Sequence, residues 1–311
     1  MDELRVGIVG VGRWGTNYLK TLSPMGGVRV THACSRNRNE LRDIVKQHYP
    51  RGRIKIHTSY KMMLREKDID AIIIATPGST HYIFTKQALQ AGKHVLVEKP
   101  LAFRTDDAEE LVALAKSKGL TLMVGHLHLF NPAIQTMRDD IGAGILGHLR
   151  YIESRGTGDG PIRDDMSALW DFFPHDVSIM MYLFKETPRS VIATGGCFTN
   201  KNGKEDVVSM TLGFSGRKCG MAFASYVHPL KQRTVVVVGS ENSMVFDDYA
   251  ERKLLHRCYP NRQPLHQQLM HFLECVHSNT EPITGGQEAI DVVRVLQAAH
   301  KSIRSGKREK I

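Results

Sequence analysis

Gly10-Val11-Gly12-Arg13-Trp14-Gly15 constrains this chain more than any other stretch, because of what stands on either side of it. Residues 4–9 before it are an almost continuous apolar run, and residues 13–23 after it have helical spacing. A strand that passes through a glycine-rich turn into a helix is the opening unit of a parallel sheet covered by helices on both faces. In such a turn Gly10 permits the sharp reversal, Gly12 lets the backbone approach a pyrophosphate, and Gly15 lets helix and strand pack closely. The helix N-terminus then offers N–H donors and a positive dipole end to phosphates. Arg13 and Trp14 of the same turn are candidate contacts to that ligand.

The pattern continues downstream. Residues 28–34, 71–75, 95–97 and 121–124 are further apolar runs rich in Val and Ile, as expected of strands buried on both faces. Residues 39–48, 80–91 and 106–117 between them have helical spacing, with Gly92 and Gly119 just past two of these stretches as C-cap residues. After Gly125 the grammar changes. A helix is expected after Asn131-Pro132, then strands over 148–154, 190–194, 207–214, 219–227, 234–239 and 243–246. Turns such as Asn202-Gly203 and Ser215-Gly216 separate them as in hairpins. Helices over 265–277 and 287–305 close the chain. The reading is an α/β chain in two domains. Residues 1–124 form an N-terminal Rossmann domain with a doubly wound parallel sheet; residues 125–311 form an α+β domain with an open, mainly antiparallel sheet. A length of 311 residues suits two domains of ordinary size.

The end of the second strand bears on cofactor choice. An acidic residue about 20 positions beyond the glycine turn would bind the ribose 2′-hydroxyl of NAD. Counting from Gly15 lands on Ser35, in Cys34-Ser35-Arg36-Asn37-Arg38, with no Asp or Glu. Ser35 can hydrogen-bond a 2′-phosphate, and Arg36 or Arg38 can supply charge and stack on adenine. NADP(H) is therefore favoured, with NAD(H) as the alternative.

Composition narrows the classes. Apolar residues at 41% and charged residues at 24% fit an ordinary globular chain and exclude a disordered one. No run approaches the ~18 consecutive apolar residues of a membrane helix. Met1-Asp2-Glu3-Leu4-Arg5 puts acids where a signal peptide needs bases, so a cytoplasmic location is expected. The five cysteines are far apart and without a C-x-x-C pair, which reads as buried thiols. No His/Cys/carboxylate cluster has ligand spacing, so no metal is expected. The net charge of +10 is uneven, with eleven basic and three acidic residues between Arg29 and Lys67. Without an aromatic-interleaved basic motif it points to an anionic small molecule, not to nucleic acid or a membrane.

Further motifs occur in a fixed order. They are Thr76-Pro77-Gly78-Ser79-Thr80-His81, then Ala91-Gly92-Lys93-His94-Val95-Leu96-Val97-Glu98-Lys99-Pro100, then Asp171-Phe172-Phe173-Pro174-His175-Asp176. With the glycine turn they make the chain resemble the Gfo/Idh/MocA dehydrogenases, the glucose–fructose oxidoreductase and inositol dehydrogenase relatives, almost end to end. The resemblance implies that the second domain binds substrate and forms a homodimer or homotetramer, its last helix able to pack back on the first domain. It also implies cofactor contacts from Thr76, Pro77, His81, Glu98 and Lys99. Lys99, Asp171 and His175 then act on a sugar, cyclitol or nucleotide-sugar hydroxyl as it exchanges hydride with nicotinamide. The segment Gly125-His126-Leu127-His128-Leu129-Phe130-Asn131-Pro132 resembles relatives acting on nucleotide sugars. That makes His126 and Asn131 substrate candidates, with Arg155, Arg163 and Trp170 behind them. Departures are Ser178, where relatives often carry Asp, and Phe173-Pro174 in place of a small residue before the histidine.

The chemistry is sound residue by residue. Oxidising an alcohol needs a base for the O–H proton, and His175 has the right intrinsic acidity. Asp171, four positions earlier, shares a helix face with it and can orient the ring. Pro174 is expected in the first helical turn, where its missing N–H is harmless and the positive helix end favours neutral imidazole. Lys99, after a buried strand, can stabilise charge developing on the reacting oxygen. His81 is expected to be structural or cofactor-adjacent. The alternative is a non-catalytic nucleotide sensor on the same fold, against which the intact Lys99, Asp171 and His175 speak.

Overall fold

Short runs of Val, Ile and Ala become the central strands of a sheet because helices cover both of its faces. The computed structural model describes residues 3–50, 53–199, 203–255 and 257–311. Met1, Asp2, Arg51 of the basic stretch and Asn202 of the expected turn lie outside the described residues. The chain divides into two compact units, Met1–Gly125 with Leu265–Ile290, and His126–Pro264 with Asp291–Ile311.

The first stretch runs β1 (Leu4–Val9), α1 (Arg13–Leu22), β2 (Val28–Cys34), α2 (Arg38–His48), β3 (Lys55–His57) and α3 (Tyr60–Met63). It continues through β4 (Ala71–Ile74), α4 (His81–Gln90), β5 (His94–Val97), α5 (Thr105–Ser117) and β6 (Leu122–Val124). The six strands pair in the order β3-β2-β1-β4-β5-β6, every pairing parallel. Strand order reverses between β1 and β4, so the loop after β1 opens at the switch point where this class of sheet takes its ligand. Gly92 and Gly119 follow α4 and α5 with φ of +73° and +64°, the left-handed cap expected of them. The sequence pattern did not reveal β3 and α3. β3 is a three-residue edge strand whose one aliphatic residue is Ile56. α3 is a single turn, started by Ser59 Oγ accepting from the Met62 N–H.

The second stretch runs α6 (Pro132–Gly142), β7 (Leu149–Asp159), α7 (Ala168–Phe184), β8 (Ser190–Gly196), β9 (Val207–Gly213) and β10 (Cys219–Ser225). It ends with β11 (Val227–Gly239), β12 (Ser243–Asp247), α8 (Pro264–Ser278), α9 (Gly286–Ser305) and β13 (Glu309–Lys310). Strand order is β12-β11-β7-β10-β9-β8-β13, with β7–β10 parallel and the other pairings antiparallel. The strand expected over 234–239 starts at Val227. Its pairing with β7 slips between Val227 and Gln232, around Pro229, which has no N–H for the ladder. α7 packs on β7, β9 and β10. Along β7 the side chains alternate: Ile152 and Ser154 are buried, whereas Glu153 and Arg155 face away. Phe130, Ile179, Met180 and Leu183 are core residues, whereas Met181 and Tyr182 of the same apolar run are half-buried.

The cysteine expectation needs correcting. Cys34 and Cys275 are buried and Cys219 is half-buried, but Cys197 and Cys258 are exposed because they stand in loops after β8 and β12. Among the described residues no helix is long and apolar enough to cross a membrane.

Candidate active site

In the first unit, the glycine turn has the geometry its spacing implies. Gly10 has φ +86°, and a Cβ there would lie 2.6 Å from the Ala75 carbonyl carbon and oxygen and 2.7 Å from Thr76 Cγ2. A Cβ on Gly15 would lie 2.3 Å from the Gly10 carbonyl oxygen. These two glycines are required by the protein's own packing. Gly12 is different: a Cβ there would meet nothing within 4 Å. It begins α1 without a side-chain cap, and α1 has no acid in its first turn. An open backbone approach at a helix N-terminus free of acids fits the pyrophosphate of a dinucleotide. Arg13 and Trp14 are exposed there. At the end of β2, Ser35 is half-buried, its N–H donating to the His57 carbonyl at 3.2 Å, and Arg36 is exposed.

The loops after β4 and β5 are tied together by His81. Its Nδ1 lies 2.7 Å from the Pro100 carbonyl oxygen and its Nε2 2.8 Å from that of Thr76. The ring thus links Thr76 and Pro77 to the segment holding Lys99, a positioning role in keeping with its burial. Glu98 is held by a chain that sequence reasoning missed. Gln268 of α8 donates to the Tyr18 hydroxyl at 3.2 Å, and Tyr18 of α1 donates to Glu98 Oε1 at 2.8 Å. Burial, and then the nearby Glu98 charge, raise the Tyr18 pKa well above the ordinary tyrosine value, so it remains a donor. Lys99 is half-buried, two residues beyond β5.

In the second unit, α7 carries both catalytic candidates. Asp171 and His175 stand one turn apart, but Pro174 is the seventh residue of the helix and His175 the eighth. The expectation of a first-turn proline is therefore overturned: the helix starts earlier, at Ala168. The dipole effect fades within the first turn, so the helix terminus does not set the acidity of His175. Asp171 is gripped from two sides. Tyr226 donates to its Oδ2 at 2.9 Å, and Arg163 Nη1 lies 3.4 Å from its Oδ1. Arg163 is itself held by a fork of two 2.9 Å bonds to Asp165. Burial works against the Arg163 charge, but the Asp165 bonds and the Asp171 field outweigh it and raise its pKa. Burial, reinforced by Asp171, pushes the Tyr226 hydroxyl pKa far up, so it too stays protonated. The His175 ring meets His128 edge-on, with centroids 4.8 Å apart.

Beneath the helix, Asp176 is 0% exposed and forms a 3.0 Å ion pair with Arg233, which is 8% exposed. Ser154 donates to the same carboxylate oxygen. The other substrate candidates separate. His126 and Trp170 are buried. Asn131 caps α6, its Oδ1 accepting from the Ala133 N–H at 3.0 Å. Arg155 pairs with Glu153 at 2.8 Å on the sheet face turned away from α7, so it does not join Asp171 and His175. Tyr226 and Asp165 are site residues that no motif announced, and His128 stood in the 125–132 segment without being singled out.

Sheet order and the open glycine turn put the chain among the Rossmann-type dinucleotide-binding proteins. Comparison with known proteins narrows the class. Residues 4–126 match the model of an oxidoreductase family with an NAD-binding Rossmann fold, and residues 134–245 match the GFO/IDH/MocA C-terminal domain. The chain belongs to the GFO/IDH/MocA oxidoreductase family. YceM of Salmonella typhimurium is 30% identical over 312 residues, which span 96% of this chain and 97% of YceM. The UDP-N-acetylglucosamine 3-dehydrogenase of Acidithiobacillus ferrooxidans is 31% identical over 199 residues, 63% of this chain and 59% of that protein. The WlbA dehydrogenase of Bordetella pertussis, solved with NADH and UDP-GlcNAcA, shares the fold. It aligns with a TM-score of 0.88 at 20% identity, covering 100% of this chain and 98% of its own.

Proposed function

We propose that this chain transfers hydride between a nicotinamide dinucleotide and a hydroxyl or keto carbon of a sugar, cyclitol or nucleotide sugar. The observation that carries the reading is the Asp171–His175 pair of α7, with Asp171 held by Tyr226 and Arg163. The bound dinucleotide supplies the hydride acceptor or donor. His175 takes the hydroxyl proton during oxidation and returns it during reduction. Asp171, held by a hydroxyl donor and a guanidinium, steadies the imidazolium. The Lys99 ammonium stabilises negative charge on the reacting oxygen. His126, Trp170 and Arg163 are assigned to the substrate, and the nucleotide-sugar substrate named for the Acidithiobacillus relative supports that class.

With a substrate found in a panel of nucleotide sugars, free sugars and cyclitols, Tyr226→Phe is expected to lower kcat about 10-fold. That is the effect of losing one hydrogen bond to a charged group. Dinucleotide affinity stays at the wild-type value, and an unchanged kcat would remove Tyr226 from the site.

NADP(H) is the proposed cofactor, supported by the absence of an acid at Ser35 and the exposed Arg36 beside it. Fluorescence titration of Arg36→Ala is expected to weaken NADP+ binding about 10-fold while leaving NAD+ nearly unchanged. An equal loss for both dinucleotides would refute the preference.

Assembly as a homodimer or homotetramer is proposed through the sheet face opposite α7. The cross-strand rows of Glu153 and Arg155 carry half-exposed Met221, Phe223 and Val236 there. Light scattering of the purified chain is expected to give at least twice the monomer mass, and a monomer at micromolar concentration would contradict this.

A further inference from the structure

Three side chains that lie far apart in the sequence meet at the edge of the first unit's sheet. His32 of β2 is 1% exposed and His57 of β3 is 9% exposed at the side chain. Their rings stand 5.2 Å apart between centroids. Glu66, from the loop before β4, presents Oε2 to His32 Nε2 and Oε1 to His57 Nε2, each at 3.9 Å. One ligand atom from each residue fits within 4.8 Å of the others. Asp68 Oδ1 stands 3.6 Å from His32 Nε2.

The hydrogen bonds around the cluster fix what His32 offers. The Thr31 hydroxyl donates to the Asp68 carbonyl oxygen at 3.1 Å, so its oxygen accepts from His32 Nδ1–H at 2.9 Å. The tautomer is thereby set, and the Nε2 lone pair points at carboxylate oxygens. Nε2 of each ring is buried and makes no hydrogen bond among the described residues. Lone pairs facing carboxylates are repulsive unless a cation lies between them.

We infer that His32, His57 and Glu66 form a divalent-metal site, suited best to Zn2+, that clips β2, β3 and the loop before β4 together. Two imidazoles and a carboxylate are a zinc ligand set, with a fourth position left for Asp68 or water. Ligands about 2.1 Å from a tetrahedral Zn2+ lie about 3.4 Å apart, so the 3.6–3.9 Å contacts close by a few tenths of an ångström, and the set as a whole, within 4.8 Å, closes by about 1 Å on binding. Two of the ligands are already steadied by neighbours: Thr31 orients His32, and Lys55 holds Glu66 Oε1 at 2.5 Å. β3 is an edge strand that pairs through three residues only, so a clip there would pin it to the sheet. None of the three ligands is a residue of the dehydrogenase reading, although the His57 carbonyl accepts from the Ser35 N–H at 3.2 Å, and the test below reads metal binding, not turnover.

The test uses the full chain, stripped with a chelator, freed of any tag and titrated with Zn2+ against a chromophoric competitor. One equivalent is expected to bind, with a raised unfolding temperature. Co2+ in its place is expected to give visible ligand-field bands without a thiolate charge-transfer band. His57→Gln and Glu66→Gln, both milder than changing the fully buried His32, are expected to weaken Zn2+ binding at least about 10-fold. A Cys197→Ser/Cys258→Ser chain is expected to bind as the wild type does. No bound equivalent, binding unaffected by His57→Gln, or binding abolished with the two exposed cysteines would each overturn the site.

Discussion

Lys99→Met and His175→Asn are each expected to lower kcat/KM by roughly 10²–10⁴ while leaving dinucleotide affinity within about threefold of wild type. Lys99→Met removes the ammonium but keeps the stem that packs after β5. His175→Asn keeps a polar group at the eighth position of α7 but removes the base. In the proposed reaction the two act on one oxygen, one on its proton and one on its charge. The double variant should therefore lose little more than the worse single variant. Unchanged nucleotide affinity matters because the binding turn rests on Gly10 and Gly15, whose packing neither substitution touches. Wild-type turnover in both variants would show that these groups do not carry the reaction.

Asp176→Ala should be among the most destabilising single changes in the second unit, at about 3–5 kcal/mol. The aspartate is fully buried and its partner Arg233 nearly so, hence the substitution strands a guanidinium charge away from water. Ser154 loses its acceptor at the same time. Removing both charges is far cheaper than removing one, because no uncompensated ion is left behind. Asp176→Ala/Arg233→Met is therefore expected to recover most of the loss in denaturant unfolding. A single-variant cost below about 1 kcal/mol would show that the pair does not hold α7 against β7 and β11. Because Asp176 adjoins His175, the folded fraction of Asp176→Ala should also turn over more slowly.

The first unit was legible because its signals are local. Ala71–Ile74 reads as a strand buried on both faces, and Gly92 and Gly119 mark helix ends by conformational need. β3 escaped because a three-residue edge strand with one aliphatic side chain has no period to detect. The Asp171–His175 pair came from the resemblance to the dehydrogenase family, yet its place within α7 was not legible. Pro174 suggested a helix start, while packing of Ala168 and Leu169 carries the helix a turn and a half further back. The grip on Asp171 was hidden for another reason. Tyr226 lies 55 positions away, and only the pairing of β10 with β7 and β9 brings it near. Arg155 shows the converse. A basic residue near the right segment looks useful until strand alternation turns it to the opposite face. The His32–His57–Glu66 cluster has no ligand spacing in the sequence, because strand pairing assembles it.

The most direct measurement is formation of reduced nicotinamide by the purified chain. NAD+ and NADP+ would each be offered with a panel of nucleotide sugars, sugar acids, aldoses and cyclitols. The account predicts turnover with at least one member of the panel, faster with NADP+ and abolished in His175→Asn. Tight dinucleotide binding with no reduced nicotinamide from any member would contradict it and favour a nucleotide sensor on the same fold.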